Sequence, residues 1–177
     1  MKKRIFVIVS CLTVSCLLFC SCAMGWGFGR IPFVPEGRSP TEYLSDADCA
    51  SFRIDAMVII PRLKPLSDTE YSFGFYSYAK DRIEEVSINQ ICLSNSRGEI
   101  PLERTELSFT VTEEREGLYF GSGILCTIQQ GILHPVRGEA FTLTIHVSVR
   151  YKDGSVQQKE IEYATTAYQN WEFAMPT

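Results

Sequence analysis

The side chains with the most chemical reach in this sequence are few and scattered. His134 and His146 are the two histidines. Zinc usually takes about three or four ligands drawn from Cys, His and carboxylates, and nothing in the spacing of these two demands a shared site. His146 stands between Thr144 and Ser148 on one face of a strand-like run. A serine and a histidine on one strand are not a catalytic triad, and no nucleophile-elbow motif is present. Glu113, Glu114 and Glu116 are the densest acidic group, yet they lack the aspartate-rich pattern and internal glycine of a calcium loop. They read as a solvated turn, and Asp46 and Asp48 beside Cys49 invite the same reading. Gly25-Trp26-Gly27-Phe28-Gly29 has neither the Lys/Ser ending nor the preceding strand of a phosphate loop. The chain therefore reads as a non-enzyme, with no cofactor and no metal.

Aromatic residues carry more information. Tyr71, Phe73, Phe75, Tyr76 and Tyr78 place five aromatics in eight positions, more than one dry strand face needs. Tyr76 and Tyr78 have the parity opposite to the other three. Exposed, they mark a binding surface, since tyrosine offers apolar area and a hydroxyl together. The alternative is a central strand buried on both sides.

Cysteines divide by region. Cys11, Cys16, Cys20 and Cys22 lie near the N-terminus, and Cys49, Cys92 and Cys126 lie beyond it. Three cysteines allow one internal bridge and leave one over. Cys92 and Cys126 both fall in strand-like runs and are the preferred pair. The alternative is three small buried thiols.

The N-terminus sets an expectation for the compartment. Lys2, Lys3 and Arg4 precede an uncharged apolar run from Ile5 to Phe19, the pattern of a secretory signal. The run is short for a span, which takes about 20 apolar residues. Leu18-Phe19-Cys20-Ser21-Cys22-Ala23 then resembles the end of a bacterial lipoprotein signal, with small Ser21 before Cys22. The resemblance covers this leader alone, and no family is recognised in the rest. It implies cleavage before Cys22, lipidation of its thiol, and a lipid anchor in the cell envelope. It favours an outer-membrane protein facing the periplasm, because no aspartate follows Cys22. Cutting after Ala23 instead would release a soluble periplasmic protein, and a retained leader would leave a membrane anchor.

Residues 1–22 are thus read as signal and lipidation site, 23–48 as a Gly/Pro/aromatic tether and entry segment, and 49–177 as one domain. Trp26, Phe28 and Phe33 would rest on a membrane surface or dock onto the domain. Losing Lys2, Lys3 and Arg4 takes the formal charge from −4 to about −7, a poor balance for nucleic-acid binding, which needs a basic footprint.

Strand periodicity dominates that domain. Phe141, Leu143, Ile145, Val147, Val149 and Tyr151 alternate with Thr142, Thr144, His146, Ser148 and Arg150, one dry face and one wet. Asp153-Gly154 predicts a tight hairpin into a return strand from Val156 to Tyr163. Further strands are expected from Phe52 to Ile60, closed by Pro61; around Tyr71–Tyr78; around Val86–Cys92; at Leu107–Val111; and from Tyr119 to Ile128, where Gly121 and Gly123 suggest a bulge. Asp81 to Glu85 is at most one turn of helix. Part of the tail, with Tyr168, Trp171 and Phe173, is expected to pack back. Seven or eight such strands predict an all-β, two-layer antiparallel sandwich, immunoglobulin-like in broad shape, with a lipocalin-like barrel as the competitor. The matching function is a cell-envelope lipoprotein whose sandwich binds an envelope or secreted protein, as an accessory, adhesin-like or immunity protein. A carrier of small apolar ligands, with a cavity lined by Phe73, Phe141 and Ile145, and a hydrolase using Ser148 or His146 are the alternatives.

Overall fold

The structure is a computed structural model that describes residues 28–170 apart from 68, 134 and 136. Gly29–Gln169 form one compact unit. A second comprises Met1–Phe28 and Asn170–Thr177, almost all outside the described residues.

Twelve strands run through the described chain: β1 (Phe28–Arg30), β2 (Arg53–Ile54), β3 (Met57–Pro65), β4 (Glu70–Ala79), β5 (Ile83–Asn95), β6 (Gly98–Ile100), β7 (Leu107–Val111), β8 (Glu113–Arg115), β9 (Leu118–Gln129), β10 (Ala140–Tyr151), β11 (Val156–Thr166) and β12 (Tyr168–Asn170). Helix α1 (Pro40–Ser45) and a 3-10 turn (Ala47–Phe52) precede β2, and α2 (Gln130–Leu133) follows β9. One five-stranded sheet has the order β2-β3-β4-β9-β8. The other runs β11-β10-β5, with β6 and β7 both pairing the far side of β5. All pairings within these two sheets are antiparallel, and β1 pairs with β12 in a separate ribbon. The sheets stack as an open two-layer sandwich, immunoglobulin-like in broad shape, rather than closing into a barrel.

The inner faces follow from alternation. Tyr71, Phe73 and Phe75 of β4 face Phe141, Leu143, Ile145 and Val147 of β10, with Ile83, Val86, Ile88, Ile91 and Leu93 of β5 beside them. Phe73 and Ile145 are wholly buried and Phe141 nearly so. The space expected to hold an apolar ligand is filled by side chains.

Several local expectations are corrected. β3 does not stop at Pro61 but continues to Pro65. Beyond Val58 it borders only β4, and a sheet edge tolerates the missing donor of proline. Asp81–Glu85 contains no helix, because β5 begins at Ile83. Within β5 the parity flips: Val86 and Ile88 face inward, then Ile91 and Leu93, because a bulge at Gln90 inserts a residue between Asn89↔His146 and Cys92↔Thr144. The β10–β11 loop is longer than a two-residue turn. Tyr151 N–H donates to Ser155 O (2.9 Å), Gly154 has φ +80°, and Asp153 accepts from Ser155 N–H, a three-residue loop with glycine at the left-handed position.

Each edge of the sandwich is tied differently. At one, β7 lies directly on β9. A Cβ on Gly121 would collide with the Thr110 carbonyl oxygen, and one on Gly123 would press on the Leu107 side chain. These glycines serve close approach; the register shift in β9 lies elsewhere, opposite Phe73 and Gly74. At the other edge, Tyr163 of β11 reaches across the core and its hydroxyl donates to Ile59 O of β3 (2.9 Å, buried). Phe52 stacks on the Tyr163 ring at 4.8 Å, and Phe33 meets it edge-on at 6.4 Å. Lys159 Nζ donates to Ser51 O (2.8 Å) and Arg53 O (2.7 Å). Phe33 thus docks onto the domain, as do Ile31, Val34, Tyr43 and Leu44. Residues 31–48 pack against the sandwich. Of the tail, Ala167 is buried, while Trp171 and Phe173 lie outside the described residues.

Two outcomes test these ties. Gly121→Ala should destabilise the fold by about 1–3 kcal/mol, since overpacking here displaces backbone rather than a flexible side-chain end; chemical denaturation measures it. Burial raises the Tyr163 phenol well above its ordinary value, so its contribution is complete below the unfolded pKa and lost as pH rises through the folded one. Tyr163→Phe should cost about 1–3 kcal/mol at neutral pH by leaving Ile59 O unpaired, and should reduce the loss of stability in strong alkali.

Candidate functional site

The outer face of the first sheet breaks the polar surface that alternation would give. One cross-strand row holds Val58, Tyr78, Phe120 and Glu113; the next holds Ile60, Tyr76 and Ser122; the next Arg62, Gly74 and Ile124. Helix α1 packs on part of this face against β3 and β4. It forms because Ser39 and Glu42 make a reciprocal capping box with Pro40 at the first helical position, a combination that satisfies the free N–H groups of the first turn. Tyr43 then anchors it through a 2.7 Å bond to Pro35 O.

The rest of the face carries a ladder of arginine and aromatic groups. The Arg62 guanidinium sits 5.0 Å from the Tyr76 ring centroid and donates to its hydroxyl (2.6 Å). Tyr76 and Tyr78 lie 5.7 and 5.3 Å from Phe120, both tilted. Arg115 closes the ladder 3.9 Å over Phe120. The β8–β9 hairpin puts it there: Glu116 (φ +52°) and Gly117 (φ +78°) form a two-residue turn, the mirror-image type that matches strand twist. Arg115 also forks onto the Glu113 carboxylate at 2.8 and 2.9 Å. That bond holds the Glu113 carboxyl below its usual value and the Arg115 guanidinium above its own. Beside the ladder, Ile124 is 73% exposed. Tyr76 and Tyr78 are half-buried. Arg and Tyr held rigidly on an apolar floor offer flat contact area, hydrogen bonding and cation–aromatic attraction, the chemistry of protein interfaces.

The other expected residues divide as follows. Cys22 and His134 lie outside the described residues. His146 is on the wet face of β10, with Nε2 3.1 Å from Glu160 Oε2. Imidazole and carboxylate are therefore together, but no hydrogen bond joins Ser148 to them. Asp46 caps the 3-10 turn by accepting from Asp48 N–H (3.0 Å), and both aspartates pair with Arg38. Glu113 and Glu114 are exposed on β8. Among the described residues no three His, Cys, Asp or Glu side chains stand together as a metal site. Cys49, Cys92 and Cys126 are free thiols. Cys126 is buried on β9, opposite inward-facing Phe73. Cys92 takes the outward parity of β5, between buried Ile91 and Leu93.

Sequence reading found Tyr76 and Tyr78 but not Arg62, Phe120 or Arg115. Their signal lay in strand parity: Arg62 follows Val58 and Ile60 by two-residue steps, and Glu116-Gly117 marks the turn that returns Arg115 onto Phe120. No protein-family model, curated protein or solved structure matches the chain. By its own geometry it is a two-layer β-sandwich bearing an arginine–aromatic surface.

Thiol labelling of the native protein should modify Cys92 and spare Cys49 and Cys126 until unfolding. Cys92 should react more slowly than a free thiol, because burial and then the charge of Glu99 push its pKa up, leaving less thiolate. Protection of Cys92 together with Cys126, relieved by reductant, would establish the bridge instead.

Proposed function

We propose that this protein is exported, processed at Cys22 and anchored in the bacterial cell envelope by lipid, where its sandwich binds a protein partner without catalysing a reaction. The observation that carries the binding role is the Arg62–Tyr76–Phe120–Arg115 ladder. Two guanidinium groups are ordered on aromatic rings at an open sheet face, so little side-chain freedom remains to be lost on binding. The leader and its Ser21-Cys22 junction support lipidation, and a chain placed on the membrane by acyl groups gains about 0.8 kcal/mol per buried CH₂. A filled interior speaks against a carrier role. The acidic balance of the chain suits a partner with basic regions beyond the ladder, while the ladder itself receives carboxylate or aromatic groups.

Mass spectrometry of the membrane fraction should find an acylated fragment beginning at Cys22, and Cys22→Ala should abolish it. An unmodified chain beginning at Met24 would replace the lipoprotein with a soluble periplasmic protein. The Arg62→Ala/Arg115→Ala double variant should keep the fold and weaken capture of the envelope partner at least tenfold, on the order of 1.4 kcal/mol. Unchanged capture would remove the ladder from the interface.

A further inference from the structure

The outer face of the second sheet holds a different kind of site. Asn89, His146 and Glu160 stand in one cross-strand row over β5, β10 and β11, and Ser87, Ser148 and Gln158 stand in the next. Together with Gln90 and the Lys159 stem, most of them line a concavity of about 360 Å³, within the usual size of small-molecule sites. Its groups are of a consistent type. Asn89, Gln90 and Gln158 are carboxamides that both donate and accept. Ser148 is a hydroxyl, and the Glu160 carboxylate lies 3.1 Å from His146 Nε2. The Lys159 ammonium is turned away, held by Ser51 and Arg53 carbonyls.

Gln90 is the anomaly in this site. It sits at φ +51° in the middle of β5, whereas the other described non-glycine residues of positive φ, Asp55 and Glu116, sit in tight turns joining strands. The bulge itself has a structural use, since it turns Ile91 inward and lets Ile91 N–H reach Thr105 O (3.2 Å). Glycine would serve that purpose without strain. A glutamine held there against its backbone preference places a long carboxamide at the rim of the concavity, and strained residues of this kind gather at ligand sites.

From the cavity, the two polar rows and the strained Gln90 together, we infer that this face binds a neutral, hydroxyl-rich ligand of the saccharide class. Sugar hydroxyls donate in pairs to a carboxylate and exchange donor and acceptor roles with carboxamides, which is what Glu160, Asn89, Gln90 and Gln158 offer. Anionic ligands are disfavoured by Glu160 and Glu162 on the same face, where Arg150 is already paired with Glu85. Large apolar ligands would strand the amides without partners.

The test is an NMR titration of the isotope-labelled processed protein with glucose, galactose, mannose, N-acetylglucosamine and their β-1,4-linked dimers. The expected result is saturable shifts from at least one of these sugars, centred on Asn89, Gln90, His146 and Gln158. Gln90→Gly, which relieves the backbone strain and so keeps the fold, and Glu160→Gln, which keeps the shape, should each weaken binding at least tenfold. Absence of saturable shifts across the panel would overturn the inference. So would shifts centred on another face, or binding that both variants retain. Because the arginine–aromatic ladder lies on the other sheet, none of these results bears on partner capture.

Discussion

Two sheets can share a dry interior only if their backbones are held at a fixed spacing, and here the two edges hold it by different means. At the β7–β9 edge the absence of a side chain on Gly121 lets one backbone rest against another. At the β3–β11 edge a large side chain spans the gap, with the Tyr163 ring between Phe52 and Phe33 and its hydroxyl on Ile59 O. Fully buried aromatics, among them Tyr71, Phe73, Phe75 and Phe141, occupy the space between. A buried carbonyl left unpaired, or a methyl group forced between backbones, each carries a penalty comparable to a sizeable part of a small domain's stability.

This arrangement leaves both outer faces free to differ. The first sheet keeps apolar and aromatic side chains outside as well as inside, partly covered by α1 and partly by stacked guanidinium groups. The second, apart from its bulge at Gln90, alternates dry with wet, so its outer rows are mainly amides, hydroxyls and charged groups. Their charges differ too: Arg62, Lys64 and Arg115 lie on one face with Glu70 and Glu113, and Glu99, Glu160 and Glu162 lie on the other with the Arg150–Glu85 pair.

The strands and the class of fold were legible because alternation of period two is a direct physical record of one dry face. The run from Phe141 to Val149 was readable residue by residue, and its buried set matches, while Tyr151 at its end is only partly buried. Legibility failed where a tertiary demand overrides the local pattern. The bulge at Gln90 reverses parity within β5, between the stretch that pairs β7 and the stretch that pairs β6. Gly121 and Gly123 looked like bend residues because the Thr110 backbone and the Leu107 side chain that press on them leave no local trace. Helix α1 was missed although Ser39-Pro40-Thr41-Glu42 states its start, because six residues are too few for helical periodicity to emerge. For the site, tyrosine parity was visible, while the arginines became meaningful only once strand order placed Arg62 beside Tyr76 and Arg115 over Phe120.

Lys159 has one more consequence. β11 ends its sheet, and a terminal strand offers unpaired amides and carbonyls to any other chain. At Lys159 that strand points a cation inward, toward the 3-10 turn, in the parity of buried Ile161 and Tyr163. An incoming strand that stripped away the turn would leave an ammonium group without its carbonyls in an apolar layer, a state expensive enough to discourage it. The same bonds that stitch residues 51 and 53 to the sandwich thus guard an open strand edge against aggregation.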